Sequence, residues 1–403
     1  MKSMRKGLAA GVLGGALVLT VAACGGPASP TPASGGAGGA GAGAASASPK
    51  PAVSAAVVSI EPADGSKDVK PSGALKVGVA GGKLSSVRVT DKEGHAVEGA
   101  LAADGSGWVP KGTLEVSQQY TVNAKATDAA GVVADSTSTF ATLTPEKEAG
   151  PHDNIEPNGT YGVGMIVSLE FDRDVKDKKA VEAGITFETS DHSVVKGHWF
   201  GSRRVDFRPE QYWKPDTKVT VHYRLKSVEI APGVYGGVDT DEPFTVGRSQ
   251  ISTVDASSHE MTVQRGGQTT ATYPITAGKA GFDSWNGVMV IEDKAEMTRM
   301  TSEGVTSVKG EEYDLQVPHA MRLTSSGTYV HGNSWAVEKM GRSNASHGCI
   351  GIQDTKSGSS SSNAGKFFDS SLIGDVVKVV NSDGATVEAD NGLSGWNVPW
   401  GSW

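Results

Sequence analysis

Cysteine is almost absent from this chain of 403 residues, which contains only two. Cys24 ends an apolar N-terminal segment, and Cys349 lies in the stretch SNASHGCIG. A disulfide framework is therefore excluded. A zinc site built from Cys349, His331 and His347 is an alternative, but the chain offers no fourth ligand nearby and no Cys-x-x-Cys pair. The thiol of Cys349 needs another explanation.

Dense basic stripes and long apolar runs after the N-terminus are also missing. The formal net charge is −8, and no cluster of Lys and Arg compensates it, which argues against nucleic acid as a partner. No later segment is long and apolar enough to span a membrane. Aromatic residues make up only 6% of the chain, whereas Gly, Ser, Thr and Val are frequent. This composition favours β structure with many turns.

Residues 1–23 have the pattern of an export signal. Basic residues precede an apolar run that is short for a membrane span, and small residues follow. Residues 21–24, VAAC, resemble the lipobox of bacterial lipoproteins, in which the cysteine is lipidated after cleavage. We therefore expect an extracytoplasmic protein that is anchored to the cell membrane through lipidated Cys24. An ordinary signal peptide cut near Ala23 is the alternative.

The composition changes twice along the next part of the chain. Residues 24–53 are almost entirely Gly, Ala, Ser and Pro, which predicts a flexible linker that cannot bury a core. From residue 54 onward, short segments alternate apolar and polar residues between turn signals, as strands do. Residues 54–147 and 148–249 each have the length and strand spacing of an immunoglobulin-like β-sandwich. Both also open with Ile-Glu-Pro, a turn and a strand.

The remainder is predicted to be β-rich as well. Residues 250–381 continue the strands, with one short helix in SSSNAGKFFDSSLIGD and a strand in DVVKVV. Residues 382–403 form a tail with Trp396, Trp400 and Trp403, which we expect to fold back onto a neighbouring domain because so much aromatic surface is unfavourable in water. A glycan-stacking platform is the alternative. The predicted fold class is mostly β: two tandem sandwiches, a third β-rich domain and a Trp-rich subdomain.

The surroundings of Cys349 indicate a nucleophile. A cysteine attacks carbonyl groups when a base or a positive field lowers its pKa and when backbone donors stabilise the oxyanion. SNASHGCIG is too polar and glycine-rich for a core strand, and Gly348 permits a tight turn. The amides of His347, Gly348 and Cys349 are predicted to converge on the oxyanion. A cysteine buried as a small apolar residue is the alternative.

Two histidines are candidates for the base. His347 lies in the turn itself, where an imidazole would brace the loop. His331 ends the β-like run GTYVHG, and a strand beside the cysteine loop would direct it at the sulfur. We assign His331 as the general base and His347 as the organiser of the loop. The carbonyl of Gly332 is predicted to accept the Nδ1 proton of His331 and so to fix its tautomer.

The stretch HGNSWAVEKMGRSNASHGCIG resembles the active-site motif of the L,D-transpeptidases with a YkuD-type catalytic domain. That motif is a histidine, a spacer and then Ser/Thr-His-Gly-Cys, and here 14 residues separate His331 from Ser346. The resemblance covers most of the chain. The signal segment, the two immunoglobulin-like domains, a catalytic domain at 250–381 and the WNVPW tail are similar to the mycobacterial-type lipoproteins of this family.

The resemblance implies a monomeric enzyme that acts on peptidoglycan, needs no cofactor or metal, and faces the cell wall. Cys349 would attack a stem tetrapeptide, release the terminal D-Ala and form a thioester, which the amine of a second stem would resolve into a 3→3 cross-link. Carbapenem-type β-lactams would acylate the same cysteine. A lid is implied at residues 292–315. Substrate contacts are implied for Tyr313, Trp335, Asn344, Ser346 and Met300.

Several points remain open at this level. Many relatives carry Asn or Arg where this chain has Gly351, so that polar group is missing or supplied elsewhere. Water as the acceptor would make an L,D-carboxypeptidase, a free D-amino acid would give exchange, and a non-catalytic wall-binding lipoprotein is a further alternative. Ser-x-x-Lys at 193–196 and Lys-Ser-Gly at 356–358 match serine penicillin-binding enzymes, but their order and context are wrong, so we interpret them as chance.

Overall fold

The computed structural model of the protein describes residues 52–302 and 313–403. The predicted signal segment, Cys24, the linker up to residue 51 and residues 303–312 of the predicted lid lie outside the described residues. The described part is mostly β, as predicted. Within that part, no helix has the length and apolar character needed to cross a membrane.

Seven strands form the first sandwich. They are β1 (Val57–Glu61), β2 (Lys76–Ala80), β3 (Gly82–Asp91), β4 (Gly99–Leu101), β5 (Gly107–Pro110), β6 (Gln119–Asp128) and β7 (Val133–Ala141). One sheet has the order β1-β2-β5-β4 and the other β3-β6-β7. The alternation in β6 buries Tyr120 and Val122, which pack with Trp108 of the facing sheet in one apolar core.

The second sandwich has two four-stranded sheets, with the orders β10-β18-β15-β12 and β13-β14-β11-β9, and a small sheet β16-β17-β8 beside them. Its core contains Trp213, whose Nε1–H donates to the carbonyl of Met165. The elements are β8 (Lys147–Ala149), β9 (His152–Asp153), β10 (Gly159–Tyr161), β11 (Val167–Glu170), α1 (Lys178–Ala183), β12 (Ile185–Thr189), β13 (Val195–Phe200), β14 (Arg204–Pro209), β15 (Lys218–Arg224), β16 (Glu229–Ala231), β17 (Val234–Gly236) and β18 (Asp239–Val246).

The third domain is built on a curled nine-stranded sheet with the order β22-β27-β19-β20-β21-β26-β25-β24-β23. Helix α2 is capped by the hydroxyl of Ser362 and buries Phe367 in the core of this sheet. The predicted short helix and the predicted strand in DVVKVV are confirmed. The elements are β19 (Gln250–Asp255), β20 (Glu260–Arg265), β21 (Gln268–Thr276), β22 (Gly287–Val290), β23 (Asp293–Thr301), β24 (Asp314–Arg322), β25 (Tyr329–Asn333), β26 (Ile350–Gln353), α2 (Asn363–Ser370) and β27 (Val376–Val380).

The C-terminal tail folds back onto the second sandwich, as predicted. The Nε1–H of Trp396 donates to the carbonyl of Gly164 at 2.8 Å. The guanidinium of Arg208 lies 4.7 Å from the ring centroid of Trp396, 5.4 Å from that of Trp400 and 4.2 Å from that of Trp403. Through these cation–π contacts, Arg208 of the second sandwich packs on the rings of the three tryptophans of the tail. The tail thereby joins the second sandwich to the third domain.

Candidate active site

Two neighbouring parallel strands determine the position of the site. β25 pairs with β26 so that His331 lies opposite Gly351. Cys349 comes directly before β26, two residues ahead of the partner of His331. Parallel strands require a crossover connection, which explains the spacer between the histidine and the cysteine in the motif. The pairing therefore puts the predicted base and the predicted nucleophile on adjoining chain segments, two positions apart in register.

His331 is buried and is held in one tautomer. Only 4% of the residue is exposed, and its Nδ1 lies 2.9 Å from the carbonyl oxygen of Gly332. Because a carbonyl oxygen can only accept, Nδ1 carries the proton and Nε2 keeps its lone pair. Burial lowers the pKa of His331, against an opposing effect of the Gly332 carbonyl. The ring is therefore neutral near pH 7 and able to take up a proton, as the sequence predicted.

Cys349 does not have the electrostatics expected from the sequence. The residue is half-buried, and its Sγ lies 3.7 Å from the carbonyl oxygen of Gly327. Desolvation raises the pKa of Cys349 to about 11, while the backbone N–H of Tyr329 acts in the opposite direction. The resting sulfur is thus a thiol and not the thiolate that a lowered pKa would give. Its deprotonation has to accompany the attack.

The loop before Cys349 is fixed by hydroxyl groups. The backbone N–H of Gly348 donates to Ser346 Oγ at 3.1 Å, and Ser346 Oγ donates to the carbonyl of Cys349 at 2.6 Å. Ser284 Oγ receives the N–H of Gly278 and donates to the carbonyl of Gly348 at 2.8 Å. Gly348 has a φ of +117°, which side chains rarely permit.

This bonding corrects one prediction. The N–H of Gly348 is already used inside the loop, so it is not a donor aimed at an oxyanion. The reason is that the turn needs this N–H to hold Ser346 Oγ next to the Cys349 carbonyl. The predicted roles of the amides of His347 and Cys349 stay predictions.

Asn344 has both ends of its amide bonded within the protein. Its Oδ1 accepts the N–H of Ala277 at 3.0 Å, and its Nδ2 donates to the carbonyl of Ala256 at 2.9 Å. Nδ1 of His259 lies 3.1 Å from the same oxygen. These contacts hold the cysteine loop against the turn between β19 and β20 and against the end of β21. Direct contacts of Asn344 and Ser346 with a substrate stay predictions.

Where many relatives carry Asn or Arg, this chain has Gly351, and a polar side chain of the neighbouring strand lies in that space. A Cβ atom on Gly351 would lie 2.9 Å from Nδ2 of Asn333, so the Asn333 amide occupies that space. Asn333 is buried, and its Oδ1 accepts the N–H groups of Trp335 and Ala336. Glycine at position 351 therefore leaves room for the side chain of Asn333.

Cys349 opens onto a pocket of about 520 Å³. Tyr313 and Met300, two of the predicted substrate contacts, line this pocket together with His347. The ring of Tyr313 stacks on that of His347 with 5.5 Å between centroids. Trp335 instead stacks on His331, with 5.8 Å between centroids, and is not part of the pocket wall.

The sequence reasoning missed one wall of this pocket. Phe282, Asp283 and Trp285 line it beside Cys349, and Ser284 between them fixes the Gly348 carbonyl. They lie more than 60 positions before the cysteine, and no motif marks them. Among the described residues, the His, Cys, Asp and Glu side chains close enough to hold a metal belong to the first sandwich and not to this pocket.

The raised pKa of Cys349 has a direct consequence for thiol reactivity. In a Cys24→Ala protein, the rate of alkylation by iodoacetamide is expected to keep rising up to about pH 11, because only the thiolate reacts. An unperturbed thiol would level off above about pH 8.5. Intact mass spectrometry at each pH gives the rate, and circular dichroism verifies the fold. A plateau below pH 8 would contradict a desolvated thiol.

The chain was compared with known families and proteins. Residues 66–229 match the bacterial Ig domain family, and residues 249–379 match the L,D-transpeptidase catalytic domain. L,D-transpeptidase 2 of Mycobacterium tuberculosis (strain CDC 1551 / Oshkosh) is 32% identical over 84% of this chain and 82% of its own length. L,D-transpeptidase 5 of M. tuberculosis (strain ATCC 25618 / H37Rv) is 27% identical over 86% of this chain and 76% of its own.

A solved structure of the LD transpeptidase LdtMt1 in complex with imipenem is 29% identical and covers 59% of this chain and 100% of its own, with a TM-score of 0.49. The assignment rests on the sequence relatives, of which L,D-transpeptidase 2 matches this chain over most of both lengths. The catalytic-domain match also contains both His331 and Cys349. The chain therefore belongs to the L,D-transpeptidase family.

Proposed function

We propose that this protein is a peptidoglycan L,D-transpeptidase that forms 3→3 cross-links through a thioester on Cys349. The observation that supports this most is the pairing of β25 with β26, which puts a buried histidine, its Nδ1 bonded to a carbonyl, two register positions from a thiol at the wall of a pocket. Acyl transfer needs this combination of base, nucleophile and open substrate space.

In the first half-reaction, Sγ of Cys349 attacks the carbonyl between the third and fourth residues of a stem tetrapeptide. His331 Nε2 takes the thiol proton as the sulfur–carbon bond forms, because neither group is ionised beforehand. The same proton then passes to the nitrogen of D-Ala as the carbon–nitrogen bond breaks. A base near neutrality suits both transfers.

The oxyanion of this step requires donors other than Gly348. The N–H of Cys349 follows the fixed turn, and we assign it as one donor to the oxyanion. The N–H of Tyr329 is directed at the sulfur and favours its anionic form. Ser284 and Ser346 hold the carbonyl groups on either side of the Cys349 amide and thereby orient it.

In the second half-reaction, the side-chain amine of diaminopimelate from another stem attacks the thioester. His331 accepts the amine proton and returns it to the sulfur, which leaves the cross-linked product and the free thiol. Hydrolysis and exchange with a free D-amino acid share the first half-reaction, so they are the alternative outcomes. Carbapenem-type β-lactams would acylate Cys349 in the same way, by opening of the β-lactam ring.

We also propose that the protein acts outside the cytoplasm, anchored to the membrane through lipidated Cys24. The VAAC sequence before the flexible linker supports this, since two acyl chains anchor stably where one does not. Mass spectrometry of the N-terminal peptide from membranes is expected to show a lipid adduct on Cys24, and a Cys24→Ala protein should leave the membrane fraction. An unmodified N-terminus at another residue would contradict the proposal.

Substitution of each cysteine separates catalysis from anchoring. With a purified disaccharide-tetrapeptide, the wild-type protein is expected to give 3→3 dimers and release D-Ala, and Cys349→Ala should give neither, because the nucleophile is lost. Cys24→Ala is the matched control and should keep full activity in solution. Product masses provide the readout.

Three outcomes decide between the candidate functions. Dimers that persist in Cys349→Ala would contradict the proposal. Release of D-Ala without dimers would identify a carboxypeptidase. Retention on purified peptidoglycan with neither product, and unchanged in Cys349→Ala, would identify a wall-binding protein.

A further inference from the structure

A second histidine and a carboxylate are buried behind the active site. His319 is 4% exposed and Asp354 3% exposed, and His319 Nδ1 lies 2.6 Å from Asp354 Oδ2. The other carboxylate oxygen accepts the N–H groups of Thr355 and Ser359 at 2.7 and 3.0 Å. Because a carboxylate only accepts, His319 donates through Nδ1. The reaction outlined above uses neither residue.

His319 has a strained backbone inside a strand. It lies in β24 with a φ of +48°, although such values are unfavourable for residues other than glycine. The β23–β24 ladder pairs Met297 with Pro318 and Ala295 with Ala320 but omits the position of His319. Backbone strain of this kind persists where surrounding structure requires it, often at functional sites.

The pair touches the peptide that holds the catalytic histidine. Asp354 follows β26 directly, and its N–H donates to the carbonyl of Asn333 at 3.2 Å. A Cβ atom on Gly332 would collide with the Asp354 carboxylate, so that carboxylate lies directly against Gly332. The carbonyl of the same Gly332 accepts the Nδ1 proton of His331. A contact chain thus runs from His319 through Asp354 and Gly332 to His331.

The charged groups around the pair are few. From β23, Glu296 places Oε2 at 3.6 Å from Nε2 of His319, and 80% of its side chain is exposed. From α2, the ring of Phe368 packs on His319 with 5.1 Å between centroids. Lys294 lies over Phe368, at 4.3 Å from the ring centroid, and donates to the Phe368 carbonyl.

We propose that Asp354 and His319 are positioning residues for His331. Asp354 fixes the Gly332 peptide that binds the Nδ1 proton, and its charge stabilises the imidazolium that forms when Cys349 loses its proton. His319 donates to that carboxylate through Nδ1 and holds it against Gly332. This inference rests on the proposed role of His331 in acyl transfer.

Two variants on the full chain test the proposal. His319→Gly removes the Nδ1 donor to Asp354, and glycine tolerates the positive φ of this position. Asp354→Asn removes the charge and keeps an acceptor for Thr355 and Ser359. The rate of thioester formation with a carbapenem is measured by intact mass spectrometry between pH 5 and 9. His152→Gly replaces a histidine of the second sandwich that has an exposed Asp172 partner, and is the matched control.

Asp354→Asn is expected to lower the maximal acylation rate about tenfold without changing the carbapenem concentration that gives half of it, which corresponds to a change of about one unit in the pKa of the base. For the wild type, the rate should fall at low pH as His331 takes up a proton. His319→Gly should lower the maximal rate in the same direction as Asp354→Asn, because Asp354 loses the donor that holds it. His152→Gly should match the wild type.

Nitrogen NMR of histidine-labelled protein provides a readout that does not depend on acylation. Asp354→Asn is expected to speed exchange of the Nδ1 proton of His331 with water, because the Gly332 peptide loses its support. Unchanged rates, pH profile and exchange in both variants would overturn the inference. If Asp354→Asn does not fold, His319→Gly alone decides through its acylation rate and its exchange rate. A wild type that no carbapenem acylates would refute the proposed function, while the exchange measurement would still test the pair.

Discussion

The parallel pairing of β25 with β26 is the constraint on which the site depends. It sets His331 opposite Gly351 and thereby next to the residue two positions earlier, Cys349. The curled sheet, its apolar core and α2 hold these two strands, and the tail joins them to the second sandwich. A slip of one residue would move His331 to the opposite face of the sheet. The chemistry therefore follows from strand register.

His331 and Cys349 are both uncharged before the reaction begins. Burial raises the pKa of Cys349 and lowers that of His331, so both shifts oppose a resting thiolate–imidazolium pair. A neutral thiol reacts slowly with adventitious electrophiles and oxidants. The thiol proton moves to His331 only when the sulfur attacks the substrate carbonyl. Asp354 and His319, which lie behind His331, act on that step.

The features that could be predicted from the sequence are those that depend on residues close together along the chain. The tautomer of His331 was predictable because its acceptor, Gly332, is the next residue, and the short helix was predictable because its cap and apolar positions are contiguous. The Ser284 contact with Gly348 and the contact of Asp354 with His319 join residues 64 and 35 positions apart. Only the fold brings such groups together. The raised pKa of Cys349 was missed because desolvation depends on the packing of distant segments.

The central claim is that one neutral imidazole deprotonates one half-buried thiol during attack. Peptide mapping by mass spectrometry after incubation with a carbapenem tests it most directly, in the wild type and in His331→Gln. The account predicts a single adduct on Cys349, formed at least about a hundredfold more slowly without the base. An adduct on another residue, or equal rates in the two proteins, would contradict it.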